Sequence, residues 1–353
     1  MHRTIVLLAA WTLSACASQY GSEPTIVTEL PPPDETLVQT HVLWVPANKE
    51  LRRLVIPPGR KHVVATTSKS LRHLGACELV CFSPDGSVVG GPREVDPEQV
   101  TSGAAEGELL YLAWHRAHLV RTPDFVETER SANLGLDVDW AVTLGVTEID
   151  RVGRPAWVAY GERVVRIESR PTWTTAKYAS PVGFVQGVRG IPGSSHVVVV
   201  GGPNRLAVMD IDTGETLRRE VLPCAKVGFD VVCDGRRAWI ATMDKSGAFL
   251  EVALSGDRGI VVRPTGVPAN NRLALSRDGR TLAVVAYSDG SPVCRATVLL
   301  FDVTGDTPRA VGRTSFECDD GVGDVAVFDD GRTVVLAGQP GIARIIEFGA
   351  APK

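Results

Sequence analysis

His196-Val197-Val198-Val199-Val200-Gly201-Gly202 is followed, after three intervening residues, by Leu206-Ala207-Val208-Met209-Asp210-Ile211 and then by Asp212-Thr213-Gly214. Both apolar runs are short, the first is almost wholly β-branched, and glycine-bearing turns close them. The order is therefore strand, turn, strand, turn. It returns in residues 280–285 and 297–303, closed by Thr304-Gly305, and again in 236–241 and 248–252. Turn signals ahead of strands recur as Ser83-Pro84-Asp85-Gly86, Cys233-Asp234-Gly235, Ser276-Arg277-Asp278-Gly279 and Asp329-Asp330-Gly331, with Gly153 and Gly193 in similar slots. From Gly153 to Gly331 the turn glycines are spaced by 40, 42, 44 and 52 residues. A period near that length is what a four-stranded propeller blade needs. One blade cannot bury both its faces, so such units must stack around a ring. A β-sandwich gives no long-period repetition, and a β-helix coil is usually shorter.

The expected fold is thus all-β: a β-propeller of seven four-stranded blades, with six or eight as the alternatives. The repeat pattern over roughly residues 40–349 resembles the seven-bladed propellers of the WD40/YVTN-like group, although the repeated Trp-Asp dipeptide of true WD40 repeats is missing. The stretches Gly59-to-Gly86 and Gly86-to-Gly153 require irregular blades. The early run His41-Val42-Leu43-Trp44-Val45 is expected to complete the last blade beside residues 333–337 and 343–348, tying the two ends together without a free edge. Trp157 and Trp239 fall at matching first-strand positions, which points to core packing.

The chain has 353 residues, of which 44% are hydrophobic, enough for a substantial core. Its 37 basic and 41 acidic residues give a net charge of −4, so no electrostatic case exists for nucleic-acid binding.

Residues 1–16 read MHRTIVLLAAWTLSAC. Arg3 supplies a positive start, an apolar stretch follows, and the whole is too short to span a membrane as a mature helix, so it reads as a secretory signal. Leu13-Ser14-Ala15-Cys16 resembles the bacterial lipoprotein processing box. That resemblance implies cleavage before Cys16, acylation of its sulfur with diacylglyceryl and usually a further acyl chain such as palmitate on the new amino terminus. Ala17 after the cysteine resembles lipoproteins exported to the outer membrane. The expected organisation is a signal peptide over 1–15, a lipidated cysteine with an acidic, Pro-containing flexible tether over 16–39, the propeller over 40–349, and a short tail over 350–353. The lipid bilayer, reached through Cys16, is the first expected partner.

Six other cysteines remain: Cys77, Cys81, Cys224, Cys233, Cys294 and Cys318. An even number in an exported chain points to disulfides, and sequence neighbours suggest Cys77–Cys81, Cys224–Cys233 and Cys294–Cys318. Two segments could offer oxygens to a divalent metal such as calcium. Asp319, Asp320 and Asp324 lie in an Asp/Gly-rich stretch that departs from EF-hand spacing. The segment Pro268-Ala269-Asn270-Asn271…Ser276-Arg277-Asp278-Gly279 resembles gluconolactonase-like propellers, which implies Asn270 or Asn271 as a channel ligand, with Asp230 as a substitute oxygen on another blade. That constellation is incomplete, because the family glycine is replaced.

Trp114-His115-Arg116-Ala117-His118 is the densest polar and aromatic cluster, yet a strand would send its two histidines to opposite faces. No nucleophile elbow, P-loop or dinucleotide fingerprint is present. The reading that results is an envelope-anchored lipoprotein without catalytic residues or required cofactor. It would act as a protein–protein scaffold or accessory subunit of a membrane-associated assembly, with envelope or outer-membrane proteins as partners. A metal-dependent lactonase-like hydrolase and a surface glycan or small-ligand binder are the alternatives.

Overall fold

The computed structural model describes residues 25–349 except 27–36, 45–49, 58–60, 69–76, 96–99, 104–107, 114–115, 134–145, 148–155, 161, 169–171, 226, 243–247, 256–258, 265–271, 289–293, 319–321 and 339–341. Two strands, β1 (Thr25–Ile26) and β2 (Leu37–Trp44), precede the first blade. Blade 1 comprises β3 (Glu50–Val55), β4 (Val63–Ser68), β5 (Cys77–Phe82) and β6 (Val88–Val95). Blade 2 follows with β7 (Val100–Gly103), β8 (Glu108–Ala113), β9 (Arg116–Arg121) and β10 (Val126–Arg130). Blade 3 has β11 (Val146–Thr147), β12 (Ala156–Tyr160), β13 (Arg163–Glu168) and β14 (Thr174–Ala179). Blade 4 has β15 (Val185–Gly190), β16 (His196–Gly201), β17 (Arg205–Asp210) and β18 (Thr216–Val221).

Blade 5 contains β19 (Val227–Cys233), β20 (Arg237–Thr242), β21 (Ala248–Ala253) and β22 (Ile260–Pro264). Blade 6 contains β23 (Arg272–Leu275), β24 (Thr281–Ser288), β25 (Cys294–Asp302) and β26 (Arg309–Cys318). Blade 7 joins β27 (Val322–Val327), β28 (Thr333–Gly338) and β29 (Ile342–Phe348) to β2 from the other end of the chain. The first strands of blades 1 to 7 run in order around the ring and meet again where β27 packs on β3. Seven blades close as the repeat implied.

Residues 197–200 show why the ring holds. Val197, Val198, Val199 and Val200 are all fully buried. Because side chains alternate along a strand, Val197 and Val199 pack with Val164 of blade 3, whereas Val198 and Val200 pack with Val231 and Ile240 of blade 5. An inner strand of a propeller is covered on both faces, so it reads as a solid apolar run rather than an alternating one.

The turn signals need one adjustment. In blades 4 to 7 the Gly193, Gly235, Gly279 and Gly331 turns join the first strand to the second. Asp234 and Asp330 each accept two backbone N–H groups across their turns, Arg236 and Arg237 in one case and Arg332 and Thr333 in the other, at 2.7–2.8 Å. The following glycine takes a positive φ, 91° at Gly235 and 66° at Gly331, which a side chain would resist. Gly86 is different, because its turn joins the third and fourth strands of blade 1. The glycines between first and second strands of blades 1 and 2 are Gly59 and Gly107, which removes the irregular spacing. Likewise Trp157 and Trp239 match each other, but on second strands, not first ones.

The 52-residue unit also builds something other than loops. Its extra length lengthens β24, β25 and β26 to 8, 9 and 10 residues, so blade 6 is the tallest sheet. On the neighbouring blade, β1 adds a fifth strand, parallel to β22 with Thr25 opposite Val261 and Ile26 opposite Val262.

The cysteines overturn the disulfide expectation. Cys81, Cys224 and Cys233 are thiols. Cys77 and Cys81 sit at the two ends of one extended stretch of β5, opposite Val95 and Gly90. Four residues of strand separate Cα atoms by ~13 Å, about twice what a disulfide spans. Cys81 is buried between blades 1 and 2 against Val64, Leu109 and Phe125, and burial pushes its thiol up to about 12. Cys233 ends strand β19, whose length separates it from Cys224, and its thiol donates instead to the Gly190 carbonyl at 3.1 Å. Cys294 and Cys318 stand opposite each other on β25 and β26, with no disulfide present among the described residues.

Candidate functional site

Of the residues singled out in the sequence, Cys16 with its processing box, Asn270, Asn271, Asp319 and Asp320 lie outside the described residues, as do Trp114 and His115. Asp324 and Asp230 occupy equivalent places on the first strands of blades 7 and 5. Each immediately precedes a valine, Val325 or Val231, that stands opposite the fourth residue of the second strand, Leu336 or Ile240. The Asp324 carboxylate is buried and accepts the N–H of Leu54 in blade 1 at 2.8 Å and that of Val325 at 3.0 Å. It thereby stitches the last blade to the first. Among the described residues no group of three or more His, Cys, Asp or Glu side chains could hold a metal ion. His118 lies buried on β9, with its Nδ1 2.8 Å from Glu127 on β10, inside a single blade.

The seam between blades 5 and 6 gathers the densest chemistry. Trp239, Ala241 and Phe249 of blade 5 pack on Leu282, Val284, Leu299 and Phe301 of blade 6. At one end of this seam Trp239 Nε1 donates to Glu251 at 3.2 Å, and Glu251 is only 6% exposed. Arg237 lies over the Trp239 ring at 4.9 Å, pairs with Asp234 at 3.2 Å and reaches Glu251 at 3.9 Å. Its remaining N–H groups cross the seam to the carbonyls of Val303 and of Gly305, the latter at 2.8 Å. A charge this enclosed needs all those acceptors. Sequence reasoning missed the cluster because it comes from two strands, a turn and a loop of the neighbouring blade. Its one signal was Glu251, a carboxylate inside the apolar run Ala248-Phe249-Leu250-Glu251-Val252.

At the other end of β25 the seam opens into a cavity of about 370 Å³, lined by Arg295, Thr297, Arg313, Thr314 and Ser315. Thr297 continues the face of Leu299 and Phe301 that packs against blade 5, because the three alternate along the strand. In the ladder Thr297 stands opposite Ser315 and Leu299 opposite Arg313, while Arg295 stands opposite Glu317. The two hydroxyls bond each other at 2.9 Å, flanked diagonally by the two arginines. Thr297 is buried, Arg313 half-buried, and Arg295 exposed at the mouth. Neither guanidinium meets a carboxylate among the described residues, Glu317 included. The walls exist because of the extra length in blade 6: a blade of ordinary height would end before Arg295 and Ser315.

No protein-family model matches the chain, and no curated protein does. Among solved structures, it is similar to the β-propeller domain of Cps50 (Swd1) from Myceliophteria thermophila, with a TM-score of 0.60 and 12% identity over 84% of this chain and 96% of that one. It is also similar to the hydrazine synthase of Kuenenia stuttgartiensis, with a TM-score of 0.63 and 14% identity over 88% of this chain and 98% of that one. At such identities the likeness extends to a WD40-like propeller fold.

Proposed function

We propose that the chain is a lipid-anchored protein of a bacterial envelope whose propeller works as a recognition scaffold, an accessory subunit of a membrane-associated assembly. One observation carries the reading: β2, only about twenty residues after the Leu13-Ser14-Ala15-Cys16 box, is built into the closing blade of a rigid ring. An acyl anchor at Cys16 would tie that ring to a surface by a short leash and raise its effective concentration for partners on the same membrane. Propellers present broad loop-lined faces, and the clusters found here (Asp324 with Leu54, Arg237 with the Val303 and Gly305 carbonyls) hold neighbouring blades together. The metal-dependent hydrolase reading gains nothing from Asp324, whose carboxylate is engaged by backbone amides.

The test has two parts. Mass spectrometry of the protein from its native membranes should show a mature chain starting at an acylated Cys16, and Cys16→Ser should release it into the soluble fraction. Crosslinking in intact cells should then capture the same envelope protein in replicate experiments. An unprocessed, unacylated mature chain would end the anchoring part. Absence of any reproducible neighbour would end the scaffold part.

A further inference from the structure

The geometry points to the Arg295–Arg313 cavity as a binding site for a phosphate group. Two guanidiniums on adjacent strands flank a Thr297–Ser315 hydroxyl pair, and Thr314 completes the lining. Guanidinium is the side chain whose planar fork matches phosphate oxygens two at a time, and hydroxyls can turn to donate to the remaining ones. Elsewhere in this seam Arg237 meets two carboxylates and two carbonyls, whereas Arg295 and Arg313 find no carboxylate among the described residues. The chain invests its longest blade in walls for this cavity.

The placement suggests where the phosphate comes from, and this step rests on the anchoring reading above. Thr25 and Ile26 pair with the outer edge of blade 5, beside the same seam. Thr25 lies nine positions after Cys16, and nine extended steps of chain reach at most ~30–32 Å. An acylated Cys16 would therefore keep Thr25, at the outer edge of blade 5, within that distance of the lipid headgroups. A phospholipid phosphate and a free phosphomonoester share the chemistry, and the two are separable by experiment.

The test uses the full chain carrying Cys16→Ser, so that no acyl group contributes. Calorimetric titration with inorganic phosphate should give saturable binding that Arg313→Gln or Arg295→Gln weakens about tenfold or more, as expected for loss of charge-assisted bonds. Arg309→Gln, on the same strand but paired with Asp302 at the far end, should leave it unchanged. Arg313→Lys keeps the charge without the fork and should give an intermediate loss; circular dichroism and thermal melting confirm that each variant folds. In a parallel arm, flotation with phosphatidylglycerol vesicles should show the same dependence on both arginines if the headgroup is the source. Phosphate binding without vesicle binding would keep the site and assign it to a soluble phosphomonoester. Absence of saturable phosphate binding, or binding indifferent to both arginines, overturns the proposal. Since every arm is run without the acyl chain, failure of the anchoring reading would leave these outcomes readable.

Discussion

The two ends of the blade 5–6 seam use the same side chain to opposite purposes. At the Asp302 end of β25, Arg237 is enclosed, stacked on Trp239, and shared among Asp234, Glu251 and two carbonyls of the neighbouring blade. At the Arg295 end, Arg295 and Arg313 border a cavity with only hydroxyls beside them. A largely enclosed guanidinium engaged by carboxylates and carbonyls fixes structure, because removing it strands its partners. A guanidinium held half in solvent beside a cavity contributes little to folding and remains available to a ligand. Stability and recognition are thus divided along one strand, over a distance of a few residues.

Substitutions should expose that division. Trp239→Ala empties a fully buried site between Phe249, Leu282 and Leu299 and is expected to lower unfolding free energy by about 3–5 kcal/mol, read from urea denaturation. Arg237→Ala leaves Glu251 without its cation and two carbonyls without donors, for an expected loss of about 2–3 kcal/mol by the same measurement. A loss as small as that of a surface residue would dissolve the distinction between the two ends.

Acid should act at the locked end and in the turns. Hydrogen bonds from Thr304, with help from Arg309, hold the Asp302 carboxyl below the ordinary carboxylate value, and those from the Thr213 and Asp212 backbone do the same for Asp210. A depressed folded value means that the stabilisation is present above the unfolded pKa of ~3.9 and disappears as pH falls through the folded one. The urea midpoint should therefore drop below about pH 4, and Asp302→Asn should flatten part of that drop. Smallest of all, Arg313→Gln should change stability by no more than about 0.5 kcal/mol while weakening phosphate binding about tenfold or more. A larger loss would make Arg313 a structural residue like Arg237.

Much of this fold is written in short-range signals. The solid run Val197–Val200, the Asp-Gly turns and the match of residues 41–45 to the last blade all express local chemistry, so the ring and its closure could be read directly. Side-chain pairing between distant strands has no such signature. Glu251, Trp239 and Arg237 meet only once β20 and β21 are aligned, and the Arg295–Ser315 wall only once β25 and β26 are. The cysteines misled for a related reason. Their even number suggested pairs, but Cys77 and Cys81 occupy one straight strand, and a count carries no information about direction. Gly86 misled through its position at the wrong turn of its blade.

Everything rests on a ring of seven blades shut by a strand from the opposite end of the chain. Hydrogen exchange of the β2 amides tests that most directly, since Leu37 to Trp44 pair with Phe348 to Ile342, some three hundred residues away. In the closed ring β2 is protected to the same degree as β28 and β29, and all three lose protection together in denaturant. Rapid exchange across β2 while β28 and β29 stay protected would mean that the ring is open, and would contradict this closure.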